Sequence, residues 1–191
     1  MRILNYLLIA VLLTGGSSVF GQDETPNPTQ EQVRENIRKA EQGFAEAQSV
    51  LGLMYSLGLG VPQDSKEAAK WYKLAAERGN AEAQYNLGSM YDNGHGVPQS
   101  SQLAVRWYRR SAAQGNAQGQ FFLGFSYKDG EGVPNDHVLA YKWFNLSAAQ
   151  GHEKAAEFRD KVATEMTPSQ ISEAQKLSRE FKPRSEMPQR F

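Results

Sequence analysis

The sequence predicts an all-α protein built from stacked helix-turn-helix units. Three observations predict this fold class: a period of 36 residues without gaps, apolar residues at helical spacing inside each period, and glycines where the helices should end. A period of this length is typical of an array in which each unit buries its apolar face only against its neighbours. We therefore expect an α/α solenoid with capping helices.

The period divides most of the chain into three units. Unit one covers residues 45–80 and reads "AEAQSVLGLMYSLGLGVPQDSKEAAKWYKLAAERGN". Unit two covers residues 81–116 and reads "AEAQYNLGSMYDNGHGVPQSSQLAVRWYRRSAAQGN". Unit three covers residues 117–152 and reads "AQGQFFLGFSYKDGEGVPNDHVLAYKWFNLSAAQGH". The alignment predicts that one supersecondary structure recurs three times.

Each unit is expected to contain two helices separated by a glycine-rich turn. The first helix of unit one should end at about Ser56, because Gly58 and Gly60 follow it and Val61-Pro62 is suited to a turn. The second helix should start after an N-cap at Asp64, with Glu67 completing a capping box, and should end at Gly79. The equivalent caps and end glycines are Ser100, Asp136, Gly115 and Gly151.

The second helix carries an aromatic pair beside basic residues. Unit two reads Arg106-Trp107-Tyr108-Arg109-Arg110, a mixture of bases and rings that also occurs on nucleic-acid-binding surfaces. The pair recurs as Trp71-Tyr72 and Trp143-Phe144, each time on a stripe of apolar residues. We therefore expect buried rings and a solvated arginine face, and no nucleic-acid partner.

The segments outside the units predict caps and flexible ends. We expect a flexible lead over residues 22–30, an N-terminal cap helix over residues 31–44, and a degenerate repeat with cap helices over residues 153–182. Residues 183–191 are expected to form a tail. The start signals of the last helix are Thr167, Pro168 and Gln170.

Residues 1–21 have the layout of a secretory signal peptide. A basic start is followed by an apolar run from Ile3 to Leu13 and then by small residues. This run is shorter than the ~20 residues of a membrane-spanning helix. We therefore expect export with cleavage after Gly21, and no stable membrane insertion of the mature chain. An uncleaved membrane anchor is the alternative.

Composition and motifs argue against catalysis and against metal or cofactor binding. The chain has 21 Lys plus Arg, 21 Asp plus Glu and no cysteine, so it offers neither a basic excess for a polyanion nor a thiolate. The Gly-x-Gly pairs precede Val-Pro turns, which explains them without a phosphate ligand. No metal-binding spacing connects the three histidines, which are His95, His137 and His152. We predict that the protein is not an enzyme.

The repeated pattern "A-x-A-Q-x-x-L-G-x-M-Y-x-x-G-x-G-V-P", followed by "A-x-x-W-Y/F-x-x-A/S-A", resembles the Sel1-like repeat, a relative of the tetratricopeptide repeat. The resemblance implies a solenoid that acts as an adaptor between other proteins. Some cysteine-rich secreted relatives are described as β-lactamase-like, but this chain lacks cysteine, Ser-x-x-Lys and Lys-Thr-Gly. Unit three departs from the pattern at Gly119 and Ser126, where we expect a looser helix contact.

The first helices carry the candidate partner-binding face. Positions equivalent to 46, 49, 50, 53, 56 and 57 change between units and fall within an arc of about 120° of the helix. The resemblance places this arc on the inner, concave surface of the array. The candidate contacts are Tyr85, Asn86, Ser89, Asn93, Phe121, Phe122, Phe125 and Lys128.

Two alternatives remain for the three phenylalanines of unit three. They form an exposed patch that anchors a partner, or they pack beneath the C-terminal cap helices. We expect an exported, non-enzymatic adaptor, located in the bacterial periplasm, that binds a protein or peptide in its concave groove. The alternative function is binding of an envelope polymer, either peptidoglycan or another glycan.

Overall fold

The computed structural model describes residues 27–184, and over that range it contains nine α-helices and no strand. The predicted signal peptide, most of the predicted lead and residues 185–191 of the predicted tail lie outside the described residues. The helices are α1 (Gln30–Glu41), α2 (Ala45–Leu57), α3 (Ser65–Glu77), α4 (Ala81–Asn93), α5 (Ser101–Ala113), α6 (Ala117–Asp129), α7 (His137–Ala148), α8 (Ala155–Ala163) and α9 (Pro168–Arg179). Helices α2 to α7 form the three units, so the predicted α/α solenoid is confirmed.

The predicted signals set the ends of the helices. The first helices end at glycines with left-handed backbone, for example Gly58 at φ +74°. Asp64 caps α3 by accepting hydrogen bonds from the backbone N–H groups of Lys66 and Glu67. The Glu67 carboxylate instead forms an ion pair with Lys70 over 3.2 Å, so the expected capping box is only half formed.

Within each unit, a glycine of the first helix lies against a ring of the second helix. A Cβ atom built at Gly88 would stand 2.7 Å from the Tyr108 ring, closer than any real contact allows. Gly52 and Gly124 have the same relation to Tyr72 and Phe144. Because glycine has no side chain, the two helices approach closely and the ring is buried between them. Tyr108 is 1% exposed, as the sequence predicts, whereas the tryptophans of units one and two, Trp71 and Trp107, are only half-buried, contrary to the prediction.

A buried glutamine joins each unit to the preceding second helix. Gln84 Nε2 donates a hydrogen bond to the carbonyl of Ala76 over 3.0 Å, and Gln84 Oε1 accepts one from Gln114 Nε2 over 2.8 Å. The Ala76 carbonyl belongs to the last turn of α3, where it also accepts from the Gly79 N–H over 3.1 Å, so Gln84 supplies a further donor from the next unit. Gln48 and Gln120 make the equivalent bonds to Ala40 and Ala112.

The helix contact at Gly119 is tight, contrary to the looser contact that the sequence suggested. The Ser111 side chain is fully buried there and donates to the carbonyl of Ala81 over 2.7 Å. A Cβ atom at Gly119 would overlap Ser111 Oγ and Cβ. The glycine therefore makes room for a larger residue at position 111, where unit one has Ala75.

The end helices cap the array. Helix α1 ends at Glu41, three residues before the predicted end, because Gly43 adopts φ +90°. Thr29 and Gln32 form a capping box at its start, which the sequence reading missed. The predicted box of Thr167 and Gln170 is confirmed at the start of α9. Both α8 and α9 pack against α7 and cover unit three.

Candidate functional site

The predicted contacts lie on α4 and α6, and we call the surface that they form the first-helix face. Its rings also meet the second helices of their own units, since Phe121 and Phe125 lie 5.7 and 5.2 Å from Phe144. Of the eight residues, only Asn93 is exposed. Phe121 is buried, with 7% of its surface exposed. The half-buried residues are Tyr85, Asn86, Ser89, Phe122, Phe125 and Lys128.

Rings from units two and three form one row along this face. The Tyr85 and Phe122 ring centroids are 5.4 Å apart, and Phe122 also lies 5.5 Å from the ring of Tyr108. Phe121 meets Phe122 edge to face at 5.5 Å and Phe125 at 4.9 Å. These separations are typical of stabilising aromatic pairs, so each ring is held in place by its neighbours.

The C-terminal helices cover part of the row. Phe158 of α8 lies 5.9 Å from Phe121 and 4.5 Å from Phe125. The His152 ring stacks on Phe121 at 4.0 Å. Of the two alternatives left by the sequence, packing beneath the cap therefore describes Phe121 and also one side of Phe125, whereas no ring of the cap contacts Phe122 among the described residues. Phe122 and Phe125 keep part of their surface open.

Variation between units does not by itself mark a free surface. Ser49 and Val50 of unit one belong to the changing positions, yet they are 4% and 7% exposed. Tyr85 of unit two stands at the position of Ser49, and Phe122 of unit three stands at the position of Val50. The two rings contact each other between the layers. These positions change because neighbouring first helices must fit each other. Fewer of the changing positions are therefore exposed on the first-helix face.

Polar groups border the row. Asn93 Nδ2 donates to the carbonyl of Ser89 over 2.8 Å, one turn earlier in α4. Lys128 Nζ forms an ion pair with Asp129 over 2.6 Å at the end of α6. The face thus combines half-buried rings with amide, hydroxyl and charged groups, as peptide-binding surfaces do.

The start of the first helices adds two carboxylates, Glu46 and Glu82, which occupy one of the changing positions but are not among the eight candidate contacts. Glu46 accepts a hydrogen bond from Asn80 Nδ2 over 2.9 Å. Burial raises the pKa of Glu82, and the nearby Glu46 carboxylate raises it further. Comparison of the units marks this position as changing, because position 46 and its equivalents read Glu, Glu and Gln.

An exposed phenyl ring at the start of unit one was also missed. Phe44 is 60% exposed and stands at the N-cap of α2, where units two and three have the capping residues Asn80 and Asn116. A cavity of about 410 Å³ lies beside it, lined in part by Lys39 and Val50. The signal was available in the sequence, as an aromatic residue at a position that otherwise holds asparagine.

Within residues 27–184 the structure holds no group of three or more His, Cys, Asp or Glu side chains that could bind a metal ion. His137 lies 3.7 Å from Glu165, and His95 is exposed. No helix in this range has both the length and the apolar character needed to cross a membrane.

Comparison with protein families identifies the repeated unit. The family described as "Sel1 repeat" matches residues 45–80, 81–116 and 117–152. The chain belongs to the Sel1 repeat family. Sel1 repeat proteins are generally protein-interaction modules, and they are typically scaffolds without catalytic activity.

Solved Sel1 repeat structures have the same fold. The chain is 33% identical to c5321, a protective antigen present in uropathogenic Escherichia coli strains, over 92% of this chain and 36% of that one, with a TM-score of 0.77. The chain thus spans about a third of that protein's length. A Sel1 repeat protein from Oxalobacter formigenes is 38% identical over 69% of this chain and 98% of that one, with a TM-score of 0.63.

A more distant structure shares the fold alone. The cysteine rich protein B of Helicobacter pylori is 19% identical over 67% of this chain and 92% of that one, with a TM-score of 0.54. Among curated proteins, none matches the chain.

Proposed function

We propose that this Sel1 repeat protein is an exported adaptor that binds a protein or peptide through the first-helix face of units two and three. The observation that carries the proposal is the row of half-buried rings at Tyr85, Phe122 and Phe125. Membership of a family of protein-interaction modules supports a protein partner.

The rings suit an anchoring role because they are already fixed before a partner arrives. Phe122 is held between Tyr85 and Tyr108, and Phe125 lies between Phe121 and Phe158. A fixed ring loses little conformational entropy on binding, so more of its apolar contact contributes to affinity. We therefore assign the apolar part of the site to Tyr85, Phe122 and Phe125.

The polar part of the site consists of Asn86, Ser89, Asn93 and Lys128. Amide and hydroxyl groups can hydrogen-bond the backbone of an extended segment, while the rings accept its side chains. Phe121 contributes from beneath, as the buried support of its two neighbours.

Two substitutions test this surface with residues that the same scaffold already uses. Phe122→Asn and Phe125→Ser place in unit three the residues that stand at equivalent positions in unit two, Asn86 and Ser89. A partner isolated from an envelope extract with the wild-type chain should bind the double variant at least about tenfold more weakly. Lys73→Ala, an exposed change on α3, should leave the affinity unchanged.

Circular dichroism separates loss of the site from loss of the fold. Unaltered affinity in a double variant with native helicity would reject the proposed site. If the wild-type chain instead sediments with purified peptidoglycan and the double variant does not, the occupant of the face is an envelope polymer, which is the second candidate.

Export and a periplasmic location are part of the proposal. The support is the basic start, apolar run and small residues of residues 1–21. Mass spectrometry of the protein from bacterial cells should find Gln22 as the first residue of the periplasmic form. A chain that keeps residues 1–21 and fractionates with membranes would contradict cleavage and favour an anchor.

A further inference from the structure

Asn93, the last residue of α4, is the one asparagine of the sequence that a glycine follows. It is also the exposed member of the first-helix face, whose other candidate contacts are buried or half-buried. The side-chain carbonyl carbon of an asparagine can be attacked by the backbone nitrogen of the next residue, which makes asparagine one of the thermally labile residues. Glycine favours this attack, because it has no Cβ atom to hinder the approach of the two groups.

Two hydrogen bonds hold the reacting groups in the folded chain. Asn93 Nδ2 donates to the Ser89 carbonyl over 2.8 Å at an exposed position, and the Gly94 N–H donates to the Met90 carbonyl. Both bonds belong to the last turn of α4. Helix ends fray, so this turn opens locally at a lower free energy than global unfolding requires. The Met90 carbonyl also accepts from the His95 N–H over 3.0 Å, so it keeps a donor when the Gly94 bond opens.

Asparagines elsewhere in the described chain lack this combination. Asn80 and Asn116 are helix caps whose Oδ1 atoms accept hydrogen bonds from backbone N–H groups, and alanine follows each of them. Asn36 is buried in α1. Asn135 is exposed, but aspartate follows it, and the Cβ atom of that residue hinders the attack. Exposure and a following glycine therefore meet at Asn93.

We propose that Asn93 is a site of spontaneous deamidation, which places a negative charge on the first-helix face. The Gly94 backbone nitrogen attacks Asn93 Cγ, and the Cγ–Nδ2 bond breaks as the new N–Cγ bond forms. The departing amide group takes the proton of the Gly94 N–H and leaves as ammonia. Water then opens the cyclic imide at either of its carbonyls, which gives aspartate or isoaspartate at residue 93.

The scaffold accommodates the aspartate product, because unit three already has Asp129 at this position. Its neighbour differs between the units: Lys128 forms an ion pair with Asp129 over 2.6 Å, whereas the residue before Asn93 is Asp92. The new carboxylate would therefore lack a cation next to it in the sequence, and it would stand at the carbonyl end of α4, where the helix dipole disfavours negative charge. Isoaspartate would in addition insert a methylene group into the backbone there.

The consequence for a partner rests on the proposed function. The Asn93 amide can donate as well as accept hydrogen bonds, whereas a carboxylate only accepts them. A backbone carbonyl of a bound segment would therefore lose its donor on deamidation. We expect the affinity of the first-helix face for its partner to fall as the protein ages.

Peptide mapping by mass spectrometry tests the chemical step without a partner. The purified chain is kept in heavy-oxygen water at mildly alkaline pH, so that a carboxyl group formed during the incubation carries the label. Labelled aspartate and isoaspartate should accumulate at residue 93 at least about fivefold faster than at Asn135, the exposed asparagine without a following glycine. The Asn93→Gln variant should stay unlabelled at this position, because its longer side chain closes the ring less readily.

A synthetic peptide of residues 90–98 gives the rate for the same sequence without the fold. The folded chain should react more slowly than this peptide, since its last helical turn must open first. Two results would overturn the inference. One is an Asn93 that stays intact in the folded chain, and the other is equal conversion at Asn93 and Asn135.

Two variants test the consequence for the partner. A partner isolated with the wild-type chain should bind the Asn93→Asp variant at least about threefold more weakly. Gln102→Glu makes the same charge change at an exposed position of α5, so affinity should change less than about twofold. Equal affinity of the Asn93→Asp variant and the wild type would overturn the effect on binding. The labelling result needs no partner, so it stands or falls separately from the proposed function.

Discussion

The Tyr108 hydroxyl donates a hydrogen bond to Asp92 Oδ2 over 3.3 Å, linking the second helix of unit two to its first. In unit one the equivalent ring is Tyr72, and the position of Asp92 holds Ser56, whose hydroxyl can also accept a hydrogen bond. In unit three the ring is Phe144, which has no hydroxyl, and the equivalent first-helix position holds Lys128. The first-helix residue at this position is therefore matched to the ring of the second helix. It offers a hydrogen-bond acceptor where the ring has a hydroxyl.

This pairing predicts a coupling between positions 92 and 108. Asp92→Lys should destabilise the protein by about 1–3 kcal/mol, because the buried Tyr108 hydroxyl loses its acceptor. The double variant Asp92→Lys, Tyr108→Phe copies unit three, so it should recover at least about 0.5 kcal/mol relative to the sum of the single changes. Urea unfolding followed by circular dichroism measures all four proteins. Strict additivity would show that the two positions are independent.

The buried glutamines predict a second effect on stability. Gln84→Ala should cost about 1–3 kcal/mol, because it removes two hydrogen bonds between the units, one to the Ala76 carbonyl and one from the Gln114 amide. Gln99→Ala is the matched control, since its hydrogen bond to the Asp92 carbonyl is exposed. It should cost less than about 1 kcal/mol in the same denaturant titration. Equal costs at the two sites would refute a special role for the buried amide.

The close approach of α4 and α5 predicts that Gly88 does not tolerate a methyl group. Gly88→Ala should destabilise by about 1–3 kcal/mol although alanine favours helices, because the new Cβ would collide with the Tyr108 ring. Gln102→Ala, at an exposed position of α5, should change stability by less than about 0.5 kcal/mol. Thermal unfolding compares the two variants, and a stabilised Gly88→Ala would mean that the helices can separate at no cost.

His152 predicts a pH dependence of stability. Burial lowers the pKa of His152, whose ring stacks on Phe121. The unfolded chain therefore binds a proton more readily than the folded one, so this group's contribution is complete above the ordinary histidine pKa of 6.5 and is lost as pH falls below it.

Asparagine is the natural replacement at this position, since Asn80 and Asn116 occupy it in the other units. The His152→Asn variant should lose less Tm than the wild type between about pH 7 and pH 5. His95→Asn, at an exposed site, should retain the wild-type slope. An identical slope in the His152→Asn variant would assign the pH dependence to other groups.

Glu82 predicts a stabilising substitution. Burial and the nearby Glu46 raise the pKa of Glu82, so the folded state disfavours its charged form and stability is lost as pH rises through the folded pKa. Glu82→Gln should therefore raise the free energy of unfolding at neutral pH by about 0.2–0.5 kcal/mol, the usual size of a like-charge effect. The gain should disappear at acidic pH, where the wild-type carboxyl is protonated, and a gain that persists there would point to packing.

The sequence was sufficient for the features that recur. The period identified the three units, and Asp64, Ser100 and Asp136 marked the starts of the second helices because N-cap chemistry is local. It also predicted the burial of Tyr108, since a ring on a repeated apolar stripe packs against a neighbouring helix. Recurrence did not show what each repeated residue does. An example is the hydrogen bond from Gln84 to the Ala76 carbonyl.

The features that change between units were harder to interpret. Variation at Ser49 and Val50 suggested a free face, but these positions are buried, because neighbouring helices adapt to each other as well as to a partner. Phe181 was expected near the end of a cap segment, and its contact with Trp143 depends on a path that no periodic pattern encodes. Such contacts between residues far apart in the sequence depend on how the layers are stacked, so the sequence pattern did not predict them.

The glutamine links give the array a property that a single globular core lacks. Gln48, Gln84 and Gln120 present the same donor to the same last-turn carbonyl, so this link recurs at every junction between units. An in-frame duplication of residues 81–116 would keep the glutamine link at the new junction, but the copied Ala83 would face Ser111, where the native junction has Gly119. A lengthened array would therefore stack without strain only if the copied alanine also became glycine, and every added copy would bring a fresh stretch of surface on which new specificity can evolve.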